Sequence, residues 1–191
     1  DSAELRLRQH IPRAEGPMSV HRLDVETSGL MVFALNASTQ SNLSKQFQKR
    51  VVGKRYIALV EHSPAGNQGA IEAPLVKDPE PTHWPRQKIC HDSGRPSRTL
   101  WRIHERPIDE PLRQQGRTAR LELRPETGRT HQIRVHLASP PEQGGLGTPI
   151  LGDTLYGSES TAPRLCLHAE GLAFWRPNTD EWLKFESPAP F

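Results

Sequence analysis

The chain has 191 residues, 34% hydrophobic and 25% charged, a length that suits one domain able to bury a core without disulfide or metal staples. No run approaches the roughly 18 apolar residues of a membrane-spanning helix, and two distant cysteines, Cys90 and Cys166, form neither a disulfide framework nor a CxxC metal site. Net charge is only +3, yet 19 of the 25 basic residues are arginine, recurring from Arg86 to Arg134. Arginine suits phosphate contacts and stacking on bases, so the balance leans toward nucleic acid. A merely arginine-biased, solvated surface is the alternative that composition leaves open.

In chain order, residues 1–20 read as a short helical stretch around Leu5 and Leu7, then a loop with Pro12, Gly16 and Pro17. The apolar run from Gly29 to Leu35 predicts a strand buried on both faces. Ser38 to Arg50, with Leu43 and Phe47 at i, i+4, predicts an amphipathic helix, and Val51 to Val60 a second strand. Residues 62–98, rich in Pro, Gly, His and basic residues, read as long loops around short strands. Arg98 to Ile103 and Ala119 to Arg124 alternate with period two, the latter setting Ala119, Leu121 and Leu123 against Arg120, Glu122 and Arg124. Pro125 to Gly128 is a turn, and Thr130 is the expected N-cap of a helix running to Ser139. Residues 140–149 read as a Pro/Gly loop, followed by strands around Leu165–Leu167 and Trp182–Phe185. The expected class is α+β, one domain dominated by antiparallel strands.

Two polar segments stand out. His21-Arg22-Leu23-Asp24-Val25-Glu26-Thr27-Ser28-Gly29 abuts the apolar run, where it forms either the lip of a site or a capped turn. Gly128-Arg129-Thr130-His131-Gln132-Ile133-Arg134-Val135-His136 places basic residues at a helix start. If Arg129 meets Asp24 in a cleft, it keeps the carboxylate ionised, as a nucleophile requires. An ordinary Arg–Asp bridge joining two elements reads the same. No metal is expected: His131 and His136 lie five residues apart, about 140° around a helix, and share no face. Gly144-Gly145-Leu146-Gly147 lacks the Lys-Ser/Thr ending of a phosphate loop.

HRLDVETSGL (21–30), KRYIALV (54–60), GRTHQIRVHLAS (128–139), PILGDTLYG (149–157) and RLCLHA (164–169) occur in this order. The series resembles the RluA family of pseudouridine synthases from about residue 17 onward, and HWPRQKI (83–89) is similar to its RluA-type branch. The resemblance implies the α+β catalytic fold of that family, a mixed and mainly antiparallel sheet flanked by helices and loops, with the site in a central basic cleft. By position it implies Asp24 as nucleophile and Tyr56 as the ring that stacks on uracil and handles the C5 proton. Arg129 becomes the partner of the aspartate and Arg22 the filler of the gap left by a flipped base. Leu167, or its neighbour Leu165, becomes the apolar floor. His131 and Arg134 join Arg22 and Leu167 as expected RNA- or base-binding residues.

The implied reaction breaks N1–C1′ of uridine and rejoins the base through C5, with no redox change and no net hydrolysis, so no cofactor is expected. The implied partner is structured RNA (ribosomal RNA, a tRNA anticodon stem-loop, or both), handled by a cytoplasmic monomer with no membrane association. Relatives usually carry a strand of the NKPxG type before HRLD. Nothing like it precedes residue 17, so residues 1–191 are expected to be a single catalytic domain lacking that first strand, with no S4-like domain. The rival readings are a non-catalytic RNA-binding or remodelling module on the same fold, and a hydrolase that would release free uracil.

Overall fold

In a computed structural model the described residues are 2–14, 18–80, 82, 84–105 and 118–191. Gly16, Pro17, His83, Arg106, Arg113 and Arg117, named or counted in the reading above, lie outside them.

Helix α1 (Ala3–His10) is capped by Ser2, whose side chain accepts from the Leu5 amide, and helix α2 (Ala37–Gln48) by Asn36, which accepts from Thr39. The strands are β1 (Ser28–Gly29), β2 (Gly53–Val60), β3 (Gln68–Glu72), β4 (Leu75–Lys77), β5 (Gln87–Ile89), β6 (Arg98–Ile103), β7 (Ala119–Pro125), β8 (Leu167–Trp175) and β9 (Trp182–Glu186). Helix α3 (Gln132–Ala138) follows β7. Seven strands form one sheet in the order β1-β8-β2-β7-β6-β3, with β9 also on β8, while β4 and β5 form a separate hairpin. Only β1 on β8 is parallel, so the sheet is mixed and mainly antiparallel, as expected.

The main core lies where β2, β7 and β8 meet α3 and the 148–151 segment, with Leu59, Leu121, Leu123, Leu137 and Ile150 at 0% exposure. Each such side chain contributes roughly 1.5–3 kcal/mol by leaving water. A second cluster joins α2 to β8 through Leu43, Phe47, Leu172 and Phe174. The alternation read for β6 and β7 is present, but the polar side of β7 is not solvated: Arg120 and Glu122 are 3% and 4% exposed. Arg120 donates to the Phe191 carbonyl, and Glu122 accepts from Arg102 and Arg124.

Two expectations need correction. Residues 29–35 are not a strand buried on both faces. Only Gly29 belongs to β1; beyond it Leu30 donates to the Ala169 carbonyl and Ala34 to that of Met18, with a lone bridge between Phe33 and Ser19. Without a ladder on either side, this apolar run lies extended against the α2–β8 cluster through Leu30 and Val32, and Leu35 is exposed. Nor does Thr130 cap α3. His131 holds the cap position in the left-handed region (φ 52°) with no side-chain cap bond. The Gln132 side chain instead braces the turn before the helix, accepting from the Arg129 amide at 3.1 Å and the Thr127 hydroxyl at 2.7 Å.

Candidate active site

The segment that carries Asp24 has no repeating hydrogen-bond pattern, so its shape is set by pins. His21 stacks on Phe47 and accepts from the Val32 amide at 3.0 Å. Burial and nearby Lys54 push this imidazole down to about 4, leaving it neutral. The Thr27 amide donates to the Asp24 carbonyl, turning the chain. Glu26 accepts from Arg134 at 3.0 Å and from Thr154 at 3.1 Å, and Ser28 bonds His168 at 2.8 Å.

Between this segment and the sheet is a cavity of about 140 Å³ lined by Arg22, Asp24, Lys54, Tyr56, Arg129 and Leu167, with Pro125, Thr127, Gly128, Thr130 and Gln132 around them. Tyr56 and Leu167 share its floor for a reason of register. Tyr56 pairs with Ala169 and Ala58 with Leu167, so both side chains project from one face of adjacent strands. Five of the seven residues singled out from sequence therefore meet at one opening: Asp24, Tyr56, Arg129, Arg22 and Leu167.

Arg129 reaches the cavity without forming the expected ion pair. Its Nε donates to the Pro96 carbonyl at 3.3 Å, and among the described residues no side chain bonds or pairs with the Asp24 carboxylate. The aspartate faces the cavity unengaged. The Tyr56 phenol is pushed up to about 12, by burial first and then by the charge of Asp24, so it is protonated at neutral pH.

His131 and Arg134 do not line the cavity, and the Arg134 guanidinium is engaged within the protein. Arg134 is 2% exposed, with Nε and Nη2 on the two carboxylate oxygens of Asp153 at 2.9 and 2.6 Å. It also lies 5.4 Å over the Tyr156 ring and pairs with Glu26, so it works from behind by holding the loop of Asp24. His131 is buried too, its Nδ1 2.8 Å from the Tyr156 hydroxyl. That oxygen also accepts from the Gln87 amide at 2.7 Å. Burial, the main cause, lowers the His131 pKa and raises that of Tyr156 to about 12.

Sequence reasoning passed over Lys54, Glu26, Asp153, Tyr156 and Gln132. Asp153 and Tyr156 sit in PILGDTLYG and had a signal: α3 is apolar around Arg134, and a cation in such a helix requires a buried anion elsewhere. Gln132 had none, since its role depends on where Thr127 comes to lie.

The chain is similar to proteins of known kind over its whole length. A relative from Pasteurella multocida (strain Pm70), "Dual-specificity RNA pseudouridine synthase RluA", is 41% identical over 194 residues, covering 100% of this chain and 80% of its own. The protein of that name from Escherichia coli (strain K12) is 39% identical over 197 residues with the same coverage. Among solved structures, Human RNA Pseudouridylate Synthase Domain Containing 1 superposes with a TM-score of 0.78 at 29% identity, covering 97% of this chain and 73% of the human one. The RNA pseudouridylate synthase family matches residues 2–139, which contain Asp24, Tyr56 and Arg129, and the chain belongs to that family.

Proposed function

We propose that the conversion of uridine to pseudouridine in RNA by this chain runs through Asp24 as nucleophile, Tyr56 as base platform and Arg129 as the cation that meets the reacting nucleotide. The observation that carries the reading is the convergence of these three residues, with the apolar Leu167, on one cavity. Asp24 adds covalently to the nucleotide, N1–C1′ breaks, and the uracil turns over on the Tyr56 and Leu167 floor. C5–C1′ then forms, C5 gives up its proton, N1 gains one, and the carboxylate is released unchanged. Arg129, bound only to a carbonyl in the free protein, is available to the oxygens of the detached uracil or to Asp24 itself. A uridine inside a stem must leave the stack to arrive here, at a cost of a few kcal/mol. Arg22, exposed at the rim, is placed to fill the gap it leaves.

The relatives' title of dual specificity supports the same breadth here. On this reading the substrates are ribosomal RNA and a tRNA anticodon stem-loop, modified by a cytoplasmic monomer built as one catalytic domain. The test is tritium release from [5-³H]uridine-labelled tRNA and ribosomal RNA in separate reactions. Release from both is expected; release from neither overturns the reading, and release from one removes the dual specificity.

Tyr56 gives a sharper check. With the phenol protonated throughout the neutral range, its ring supplies stacking and its hydroxyl the C5 proton transfer. Tyr56→Phe keeps the ring, so RNA affinity should stay within a few-fold while tritium release falls roughly 10²-fold or more. Equal losses in affinity and rate would instead place the hydroxyl in binding.

A further inference from the structure

Lys54 brings to the cavity a charge that the reaction above leaves unused. It is the second residue of β2, half-buried, and its ammonium donates to the Thr127 carbonyl at 3.0 Å. An ammonium has three N–H donors, and this is its one partner among the described residues, with no carboxylate in ion-pair range. A half-buried cation with unspent donors and no counter-ion is costly unless a ligand supplies the acceptor.

What lies beyond Lys54 indicates the ligand. Lys54 and Pro125 form the wall shared between the catalytic cavity and a neighbouring groove. That groove is lined by Arg50, Arg124 and Lys184 together with Trp182 and Phe185, the latter 46% exposed. Cations interleaved with aromatic rings match a single strand of nucleic acid. Carboxylates are present, but Glu186 is engaged by Arg55 and Glu126 by Arg98.

We propose that Lys54 is the phosphate anchor of the site, its ammonium binding a phosphodiester oxygen of the substrate strand where that strand leaves the catalytic cavity for the groove. The proposal rests on the reading that this cavity receives the flipped uridine. The free lysine is pulled down to about 8 by burial first and then by the charge of Arg50. A phosphate favours the charged amine, so affinity is fully present below pH 8 and is lost above it, where binding must take up a proton. The neighbours do not share that window. His21 titrates near 4 and Tyr56 near 12. Removing Asp24 as a carboxylate takes out the acidic side chain of the cavity.

The experiment measures the dissociation constant of a stem-loop RNA for Asp24→Asn protein at pH 7 and pH 9 in constant salt. The same is done with Lys54→Arg and Lys54→Gln added. We expect about tenfold weaker binding at pH 9 with Lys54 in place and no change for Lys54→Arg, which also controls for titration of the RNA. Lys54→Gln should bind roughly tenfold more weakly at pH 7, with the log–log salt slope smaller by about 0.7–0.9. A pH-independent affinity with Lys54 present, or an unchanged salt slope in Lys54→Gln, overturns the proposal. Tritium release by wild type and by Asp24→Asn tests the underlying reading separately, since Asp24→Asn that still turns over removes the nucleophile and leaves the binding data standing.

Discussion

Asp24→Asn should abolish tritium release, on the order of 10⁴-fold or more below wild type, while RNA affinity changes by no more than a few-fold. The amide has the shape of the carboxylate without its nucleophilic oxygen. Because no described side chain donates to or pairs with Asp24, the substitution strands no partner, and thermal stability should stay within about 1 °C. Losing a negative charge at a site that binds a polyanion favours RNA slightly. One side effect is measurable independently of turnover. The Asp24 charge is the second cause that raises the Tyr56 pKa, so in Asp24→Asn the phenol should titrate lower, by ultraviolet absorbance of the phenolate. Turnover within tenfold of wild type would refute the assignment of the nucleophile.

The residues that were legible before the structure are those whose role is set locally. Strand β6 begins and ends where its period-two pattern does, and α2 buries the face that its Leu43 and Phe47 spacing predicts. Those that were not depend on distant partners. The run 29–35 has strand composition, but strands are made by neighbours, and beyond Gly29 its amides go singly to Ala169, the His21 ring and Met18 rather than to a ladder. His131 takes a positive φ because Gln132, and not a residue at the cap, satisfies the turn before α3. The site shows the same division. Asp24, Tyr56, Arg129, Arg22 and Leu167 were assigned by resemblance and do share a cavity. Arg134 went to RNA because arginine near a basic motif invites that reading, whereas its neighbours Ile133, Val135 and Leu137 already described a helix with no solvated side.

That placement carries the second large effect. Arg134→Met should destabilise the fold by about 3–5 kcal/mol, because it leaves Asp153, at 0% exposure, as a buried carboxylate without its cation. For a chain of this length the loss corresponds to a fall in Tm of roughly 6–20 °C. Asp153 also accepts the amides of Leu155 and Tyr156 at 3.0 Å, so Asp153→Asn damages the turn as well as the pair. Adding Asp153→Asn to Arg134→Met removes the stranded charge, and the double variant should be more stable than the sum of the two losses by about 1–3 kcal/mol. Strict additivity would mean that the pair is not coupled, and a loss under about 1 kcal/mol for Arg134→Met would mean that the buried guanidinium is replaceable by packing alone. Glu26→Gln separates stability from catalysis. Glu26 is partly solvated, so its contact with Arg134 contributes little to folding. It is also the tie between α3 and the loop of Asp24. Its loss should leave Tm within about 2 °C while slowing tritium release at saturating RNA several-fold, since a nucleophile on an irregular loop is only as well aimed as the pins that hold it.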